Sequence, residues 1–118
     1  MADPLRGEIW RVDLDPTQGS ETGKLRPAVI IGDEHLGRLQ VRLVVPLTGW
    51  NEAYRNYLWM TYLVPSAQNG LTKPSAADAL QLPTVFLLRF RDRLGSLPPN
   101  VLDNIVGSIA VCVRAPRI

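Results

Sequence analysis

The sequence predicts a small, mainly β domain with one C-terminal helix, folded as a closed or half-open barrel. Near the N-terminus Trp10, Val12 and Leu14 alternate with polar residues, the period of a strand with one buried face. Near the C-terminus the period changes, because apolar residues from Val101 to Val113 recur at spacings of one, three and four, as on one face of a helix. A helix packed on a barrel of short strands would bury both kinds of apolar face.

Five to six strands are expected before this helix. The first ends before Asp15-Pro16, because proline lacks the N–H group that a sheet ladder needs. The others are expected around residues 28–31, 39–45, 57–64, 75–82 and 85–88. We expect the third of these strands to end at Pro46, and Trp10 and Trp59 to lie in the core.

The connections carry turn signals. Residues 51–56 are expected to form a loop or a single helical turn, and residues 66–74 contain the turn pair Asn69-Gly70. Pro98 and Pro99 suit the entrance of a helix, where a missing N–H costs little. The chain is therefore expected to form one domain, spanning residues 1–118.

Composition bounds the function only loosely. A net charge of +2 permits a polyanionic partner without demanding one, although eleven arginines against two lysines weakly favour a phosphate ligand. The single cysteine, Cys112, lies in an apolar run and is expected to be a buried structural thiol. No signal peptide or membrane-spanning stretch is apparent, so we expect a cytoplasmic protein without contact to a membrane.

The polar loop between the first two strands has two interpretations. Residues 17–24 hold hydroxyls, two glycines, Glu21 and Lys24, with almost no apolar side chain. Composition alone favours a solvated hairpin loop. The alternative is a functional site, because two firmly anchored strands would hold the loop in place.

Three stretches of the sequence resemble the MazF/PemK toxins, the ribosome-independent endoribonucleases of bacterial toxin–antitoxin pairs. They are G-E-I-W-x-V-D-L-D-P-T-x-G-S-E at residues 7–21, G-x-x-R-P-A-V-I-I at residues 23–31 and V-V-P-L-T at residues 44–48. A weaker match extends through Ser75, Gln81 and Thr84 and the approach to the terminal helix. The resemblance covers nearly the whole chain and implies a small SH3-like β-barrel of the CcdB/MazF/PemK kind.

The resemblance implies a catalytic pair, Arg26 and Thr48, with Glu21 as the acidic residue of the loop. The implied reaction cleaves single-stranded RNA without metal or other cofactor, and leaves a 2′,3′-cyclic phosphate and a free 5′-hydroxyl. Arginine suits the phosphate charge, and a threonine hydroxyl can donate to a phosphate oxygen. Glu21 is our hypothesis for the general base.

Further residues are candidates for RNA contact: Ser20, Lys24, Trp50, Ser75 and Gln81. Trp50 would stack a base, although a partly exposed core tryptophan explains it equally well. Judged alone, Arg26 would pair with Glu21 or Asp15, and Thr48 would satisfy a loop N–H. Histidine is a common acid–base residue, but His35 matches no catalytic position of the family.

Two departures from the family pattern concern the side of Gln81. Leu80 stands where many members carry an acidic residue, and Pro83 stands where a basic residue is common. RNA contacts on that side are therefore expected to differ from those of other members.

The resemblance also implies partners. We expect a homodimer with an RNA groove across its interface, and a MazE/PemI-like antitoxin whose C-terminal segment occupies that groove. Two alternatives remain open: a CcdB-like toxin that binds DNA gyrase, and a barrel that binds RNA or antitoxin without catalysis. In the endoribonuclease interpretation the polar loop is a flap over the RNA groove, and the chemistry lies at its base.

Overall fold

The chain is mainly β with one C-terminal helix. A computed structural model describes residues 3–14, 25–36 and 38–116. Seven strands and one helix lie in these ranges: β1 (Glu8–Asp13), β2 (Leu25–Ile30), β3 (Val41–Gly49), β4 (Met60–Leu63), β5 (Ser75–Asp78), β6 (Thr84–Phe86), β7 (Phe90–Ser96) and α1 (Pro99–Cys112). Short 3₁₀ turns occupy Glu34–Leu36, Glu52–Asn56 and Leu87–Arg89.

The strands form one antiparallel sheet in the order β4-β5-β3-β2-β1-β7, and β6 pairs with β3 off this path. β3 is its centre, because residues 41–43 pair with β6, residues 44–46 with β2 and residues 47–49 with β5. Within the described residues β4 and β7 do not pair, so the sheet is open along one edge. This arrangement is compatible with the half-open barrel that the sequence predicts.

Two buried apolar clusters lie on opposite faces of the sheet, as the alternation of strand residues requires. One contains Ile9, Val29 and Val45 and is covered by Leu102 and Ile105 of α1. The other contains Trp10, Val12, Ala28, Ile30, Val44, Val85 and Phe90. Arg26 and Thr48 continue this second face beyond the cluster, two residues from Ala28 and Pro46.

The expected end of the third strand at Pro46 was wrong. Pro46 is the last residue of β3 that pairs with β2, so its missing N–H affects only the end of that ladder. The strand then continues to Gly49 against β5. Thr48 therefore lies inside a paired strand.

Three further expectations need correction. The sequence analysis did not predict β7, which pairs with β1 through two register shifts. Trp59, expected in the core, is half-buried and directly precedes β4. Cys112, expected to be buried, is half-buried at the last residue of α1. The buried residues of this helix are Leu102 and Ile105, which lie nearer its start.

No helix in the described ranges combines the length and the apolar character that a membrane span requires.

Candidate functional site

Arg26 and Thr48 line the same cleft. The ladder between β2 and β3 ends at the pair Ala28 and Pro46, and two residues further along each strand lie Arg26 and Thr48. Beyond Ala28 and Pro46 the two strands are not paired, and a cleft of about 260 Å³ lies between them. The two residues are thus brought together by strand register, although they are 22 positions apart in the chain.

Lys73 and Ser75 line the other side of this cleft. Ser75 is buried, pairs with Gly49 across β5 and β3, and donates from Oγ to the carbonyl oxygen of Lys73 at 3.0 Å. A Cβ atom on Gly49 would lie 3.5 Å from Lys73 Nζ. The Lys73 ammonium group therefore lies close to Gly49, the residue that follows Thr48.

The loop that carries Lys73 is held by the buried side chain of Asn69. Its Oδ1 accepts from the backbone N–H groups of Ser66 at 3.0 Å and Leu71 at 2.9 Å, and its Nδ2 donates to the carbonyl of Val64 at 2.8 Å. Gly70 has a φ of +70°, and a Cβ there would lie 2.0 Å from the carbonyl oxygen of Leu94. The Asn69-Gly70 turn is thus packed against β7, and it fixes the position of the lysine.

A second cleft of about 290 Å³ adjoins the first. The two share Leu25, Pro27, Lys73 and Ser75, and the second extends to Arg11 of β1. Arg11 Nη2 lies 3.3 Å from Asp92 Oδ2, so its charge is already partly neutralised. Because the two clefts share four residues, we describe them together as one groove.

The groove contains two cations with no ion-pair partner among the described residues, Arg26 and Lys73. The alternative pairing of Arg26 with Glu21 or Asp15 involves residues outside the described ranges. Glu21, Ser20 and Lys24 of the candidate set also lie outside these ranges. The described side of the groove is therefore positively charged and suits an anion.

Trp50 lies just beyond Thr48, at the end of β3. Its backbone N–H donates to the carbonyl of Pro74 at 3.1 Å, and its indole N–H donates to Glu52. This bond and those from Arg55 hold the pKa of Glu52 below its ordinary value. The indole is therefore held in one orientation, half-buried beside the groove.

Gln81 and His35 do not line either cleft. Gln81 is exposed and donates from Nε2 to Asp78 Oδ2 at 2.9 Å. His35 is almost fully exposed and contacts Asp33, whose pKa is lowered by the backbone N–H and ring of this histidine. Of the predicted contact residues in the described ranges, only Ser75 reaches the cleft, with Trp50 beside it.

Lys73 is the site residue that sequence analysis missed. It lies in residues 66–74, which were interpreted only as a turn. The available signal was that Lys73 is one of two lysines and stands two residues before Ser75. Among the described residues, no group of three His, Cys, Asp or Glu side chains is placed to hold a metal ion.

The chain belongs to the PemK-like, MazF-like toxins of type II toxin–antitoxin systems, whose family model matches residues 5–113. The fold and the pair of residues at the base of the first loop had pointed to this class, so the resemblance inferred from the sequence is confirmed.

Individual relatives agree with this membership. A probable endoribonuclease, MazF1 of Mycobacterium tuberculosis, is 46% identical over 54 residues, which cover 41% of this chain and 58% of that protein. The endoribonuclease PemK of Escherichia coli is 28% identical over 111 residues, covering 92% and 81%. The chain thus spans little more than half the length of the first relative.

A solved structure shares the fold. It is an endoribonuclease from a mycobacterial species in complex with its cognate antitoxin. The similarity covers 98% of this chain and 99% of that chain with a TM-score of 0.77, at 22% identity.

Proposed function

We propose that this chain is the toxin of a type II toxin–antitoxin system and acts as an endoribonuclease on single-stranded RNA. The observation that carries the proposal is that Arg26 and Thr48 line one cleft, where Lys73 adds a second cation. The relatives named as endoribonucleases support the same activity. Cleavage is selective for sequence and requires neither a metal ion nor a ribosome.

The proposed reaction is an attack by RNA on its own backbone. The 2′-oxygen gives its proton to a base and forms a bond to the adjacent phosphorus. The bond from phosphorus to the 5′-oxygen then breaks, and its electron pair stays on that oxygen, which takes up a proton. The products are a 2′,3′-cyclic phosphate and a 5′-hydroxyl, and the protein must supply a base, an acid and stabilisation of the phosphate charge.

Arg26 is the residue that stabilises this charge. Its planar guanidinium matches two phosphate oxygens, and it extends from the end of β2 into the cleft. Lys73 faces the same space and acts as a point charge on the phosphate. Negative charge grows on the non-bridging oxygens as phosphorus becomes five-coordinate, so both cations bind the transition state more tightly than the substrate.

Thr48 orients the phosphate, and Glu21 takes the proton. The Thr48 hydroxyl is held by a paired strand, so it can donate to a phosphate oxygen in a fixed direction. Glu21, five residues before Arg26 in the sequence, is the candidate base. Ser20, Lys24, Trp50, Ser75 and Gln81 are the candidates for contact with the rest of the RNA.

The proposal includes the partners of the toxin. Two copies form a homodimer in the cytoplasm, with the RNA groove across their interface. A cognate antitoxin places an acidic or amphipathic C-terminal segment in this groove, where Arg26 and Lys73 would attract carboxylates as they attract phosphates. The similar mycobacterial endoribonuclease, which was solved with its antitoxin, supports this arrangement.

The test is cleavage of a mixed-sequence RNA by the purified chain in EDTA, with chemical mapping of the new ends. We expect cleavage with cyclic phosphate and 5′-hydroxyl ends, and its loss in Arg26→Ala and Thr48→Ala. Thr84→Ala is the matched control, because Thr84 is an exposed threonine that lines neither part of the groove.

Two results would overturn the proposal. If RNA stays intact at high protein concentration while DNA gyrase is inhibited, the chain is a toxin of the CcdB kind. If the chain binds RNA or antitoxin but does not cleave, it is an inactive member of the fold.

A further inference from the structure

The aromatic residues of this chain are concentrated beside the groove. Five of the eight lie within residues 50–62, and we name them the aromatic strip: Trp50, Tyr54, Tyr57, Trp59 and Tyr62. None belongs to either buried core cluster. Tyr57 is 39% exposed and Tyr62 is 47% exposed. Packing of the core therefore does not explain why these aromatic side chains are placed here.

The rings of the strip contact one another in series. The centroid of Trp50 lies 4.6 Å from that of Tyr62 and 5.8 Å from that of Tyr54. Tyr54 is 6.0 Å from Tyr57, which stacks on Trp59 at 4.7 Å with only 15° between the ring planes. The result is a continuous series of ring contacts rather than one isolated aromatic pair.

This surface continues directly from the catalytic cleft. Thr48 on β3 lies opposite Ala76 on β5, and Ala76 lies opposite Tyr62 on β4. Residues that face each other across antiparallel strands project from the same side of the sheet. Tyr62 and Thr48 therefore share one face, two strands or roughly 10 Å apart. A strand of RNA held at Thr48 can reach the strip without turning around an edge of the sheet.

The charges of the segment that carries the strip are balanced among its own residues. Arg55 Cζ lies 5.8 Å from the centre of the Trp50 ring, and Lys73 lines the cleft that contains Thr48. The acidic residue of this segment, Glu52, accepts hydrogen bonds from Arg55 at 2.9 and 3.1 Å as well as the one from Trp50. Its charge is thus balanced locally, and these bonds hold the first ring of the strip in place.

We propose that the aromatic strip is a base-stacking subsite for the nucleotides that flank the cleavage site on single-stranded RNA. This inference rests on the proposed endoribonuclease activity and extends the single base contact considered for Trp50. Every base has a flat π-face, so such a surface binds RNA with little dependence on sequence. The strip would therefore supply affinity for a longer substrate, while the cleft carries out the chemistry.

The test is the dissociation constant for a fluorescently labelled, mixed-sequence 2′-O-methyl RNA, measured by anisotropy. This probe lacks the 2′-hydroxyl and is not cleaved, so binding is read apart from catalysis. We expect Tyr57→Ala and Tyr62→Ala each to weaken binding by about tenfold, the effect of losing one stacked base. Tyr57→Phe and Tyr62→Phe keep the ring and should stay within about twofold of the unmodified chain.

Leu58→Ala is the matched control. Leu58 lies between Tyr57 and Trp59 and is 73% exposed, so its truncation removes apolar surface from the same segment without removing a ring. We expect no change in RNA affinity beyond about twofold, as for other exposed positions. An equal loss in Leu58→Ala and Tyr57→Ala would mean general apolar contact and would overturn the stacking assignment.

A second measurement does not depend on the alanine variants folding. RNA that stacks on the strip should quench tryptophan emission, and Trp50→Phe and Trp59→Phe should each remove part of that quenching. Trp10 is buried in the core and should contribute none of it. Tight RNA binding without any quenching would overturn the proposal.

The outcomes separate this inference from the proposed function. If the unmodified chain cleaves RNA and the alanine variants bind RNA with a dissociation constant within twofold of its own, the stacking proposal is wrong and the nuclease assignment stands. If the chain neither binds nor cleaves RNA, both proposals fail. If the alanine variants instead turn a dimer into a monomer in light scattering, the strip is an interface between copies and the stacking proposal is overturned.

Discussion

Two basic regions of the molecule hold their cations in different ways. Along the edge formed by β1 and β7, Arg11 lies 3.3 Å from Asp92, Arg91 lies 3.8 Å from Asp13 and Arg93 donates to Glu8 at 2.9 Å. In the groove, Arg26 and Lys73 have no such carboxylate among the described residues.

We infer that this difference distinguishes structural cations from candidate binding cations more clearly than net charge does. A paired arginine must lose its partner before it can bind a phosphate, whereas a cation in an open cleft can accept one directly. The net charge of +2 is too small to indicate a nucleic-acid surface. The presence or absence of an ion-pair partner at each cation is more informative. The comparison predicts that substitutions in the two regions affect different measurements.

The largest expected effect is the contrast between Arg26→Ala and Arg93→Ala. Arg26→Ala should lower the single-turnover cleavage rate by about 100- to 1,000-fold, the effect of removing one donor to a developing anion. Because Arg26 is exposed, the free energy of unfolding should change by less than about 0.5 kcal/mol.

Arg93→Ala should show the reverse. Cleavage should stay within about twofold, while the free energy of unfolding in urea falls by about 1 kcal/mol, since a half-exposed charged hydrogen bond is lost. If Arg93→Ala abolished cleavage in a stable protein, the distinction between the two regions would be wrong.

Glu21→Gln tests whether the loop supplies a carboxylate for catalysis rather than for pairing. If Glu21 is the general base, the single-turnover rate should fall by about 100-fold, because the amide cannot accept the 2′-proton. Quenched-flow cleavage under saturating protein measures this rate without a contribution from product release. A change of less than about threefold would remove Glu21 from this role and leave only the ion-pair interpretation.

Lys73→Ala should have a smaller effect than Arg26→Ala, and this effect should appear in substrate binding as well as in the cleavage rate. Removing one phosphate contact should raise KM by roughly threefold to tenfold and lower the slope of log affinity against log salt by about 0.7. Lys73→Arg keeps the charge and should retain the slope. Cleavage assayed between 50 and 200 mM salt gives both quantities, and an unchanged slope in Lys73→Ala would show that this lysine does not contact the RNA backbone.

The sequence was sufficient for most of the fold because alternation and helical period survive in the strands and in α1. It was insufficient for β7, in which Phe90 is buried and the next three residues are exposed. Two register shifts against β1 break the period of two there. The strand is held by Phe90 in the second core cluster and by pairs such as Arg93 with Glu8, which join residues 85 positions apart.

The residues of the candidate site also differ in whether the sequence alone could predict them. Sequence motifs in regular strands identify Arg26 and Thr48, and strand register brings the two residues together. Lys73 carries no local signal, because its position depends on Asn69 and on the packing of Gly70 against Leu94. The aromatic strip was missed for a related reason: an aromatic residue in a strand pattern predicts core, and only the structure shows that Tyr57 and Tyr62 remain exposed.

The smallest expected effect concerns Glu8, the carboxylate of the structural region. Partial burial raises its pKa, but hydrogen bonds from Trp10, Leu5 and Arg93, with the charge of Arg93, outweigh this and leave the pKa below its ordinary value of 4.5. A group with a lowered folded-state pKa stabilises the protein above the unfolded-state pKa, and that contribution is lost as the pH falls through the folded-state value.

Glu8→Gln should therefore be less stable than the unmodified chain at pH 7, by about 1 kcal/mol, since the amide replaces a charge-assisted acceptor. This difference should begin to shrink as the pH falls below about 4.5, where Glu8 takes up a proton in the unfolded chain, and should be lost once Glu8 is protonated in the folded chain too. Urea unfolding at pH 7, 5 and 3.5 measures it. A constant difference at all three values would mean that Glu8 stabilises β1 through shape and neutral hydrogen bonds, and that its pairing with Arg93 adds nothing.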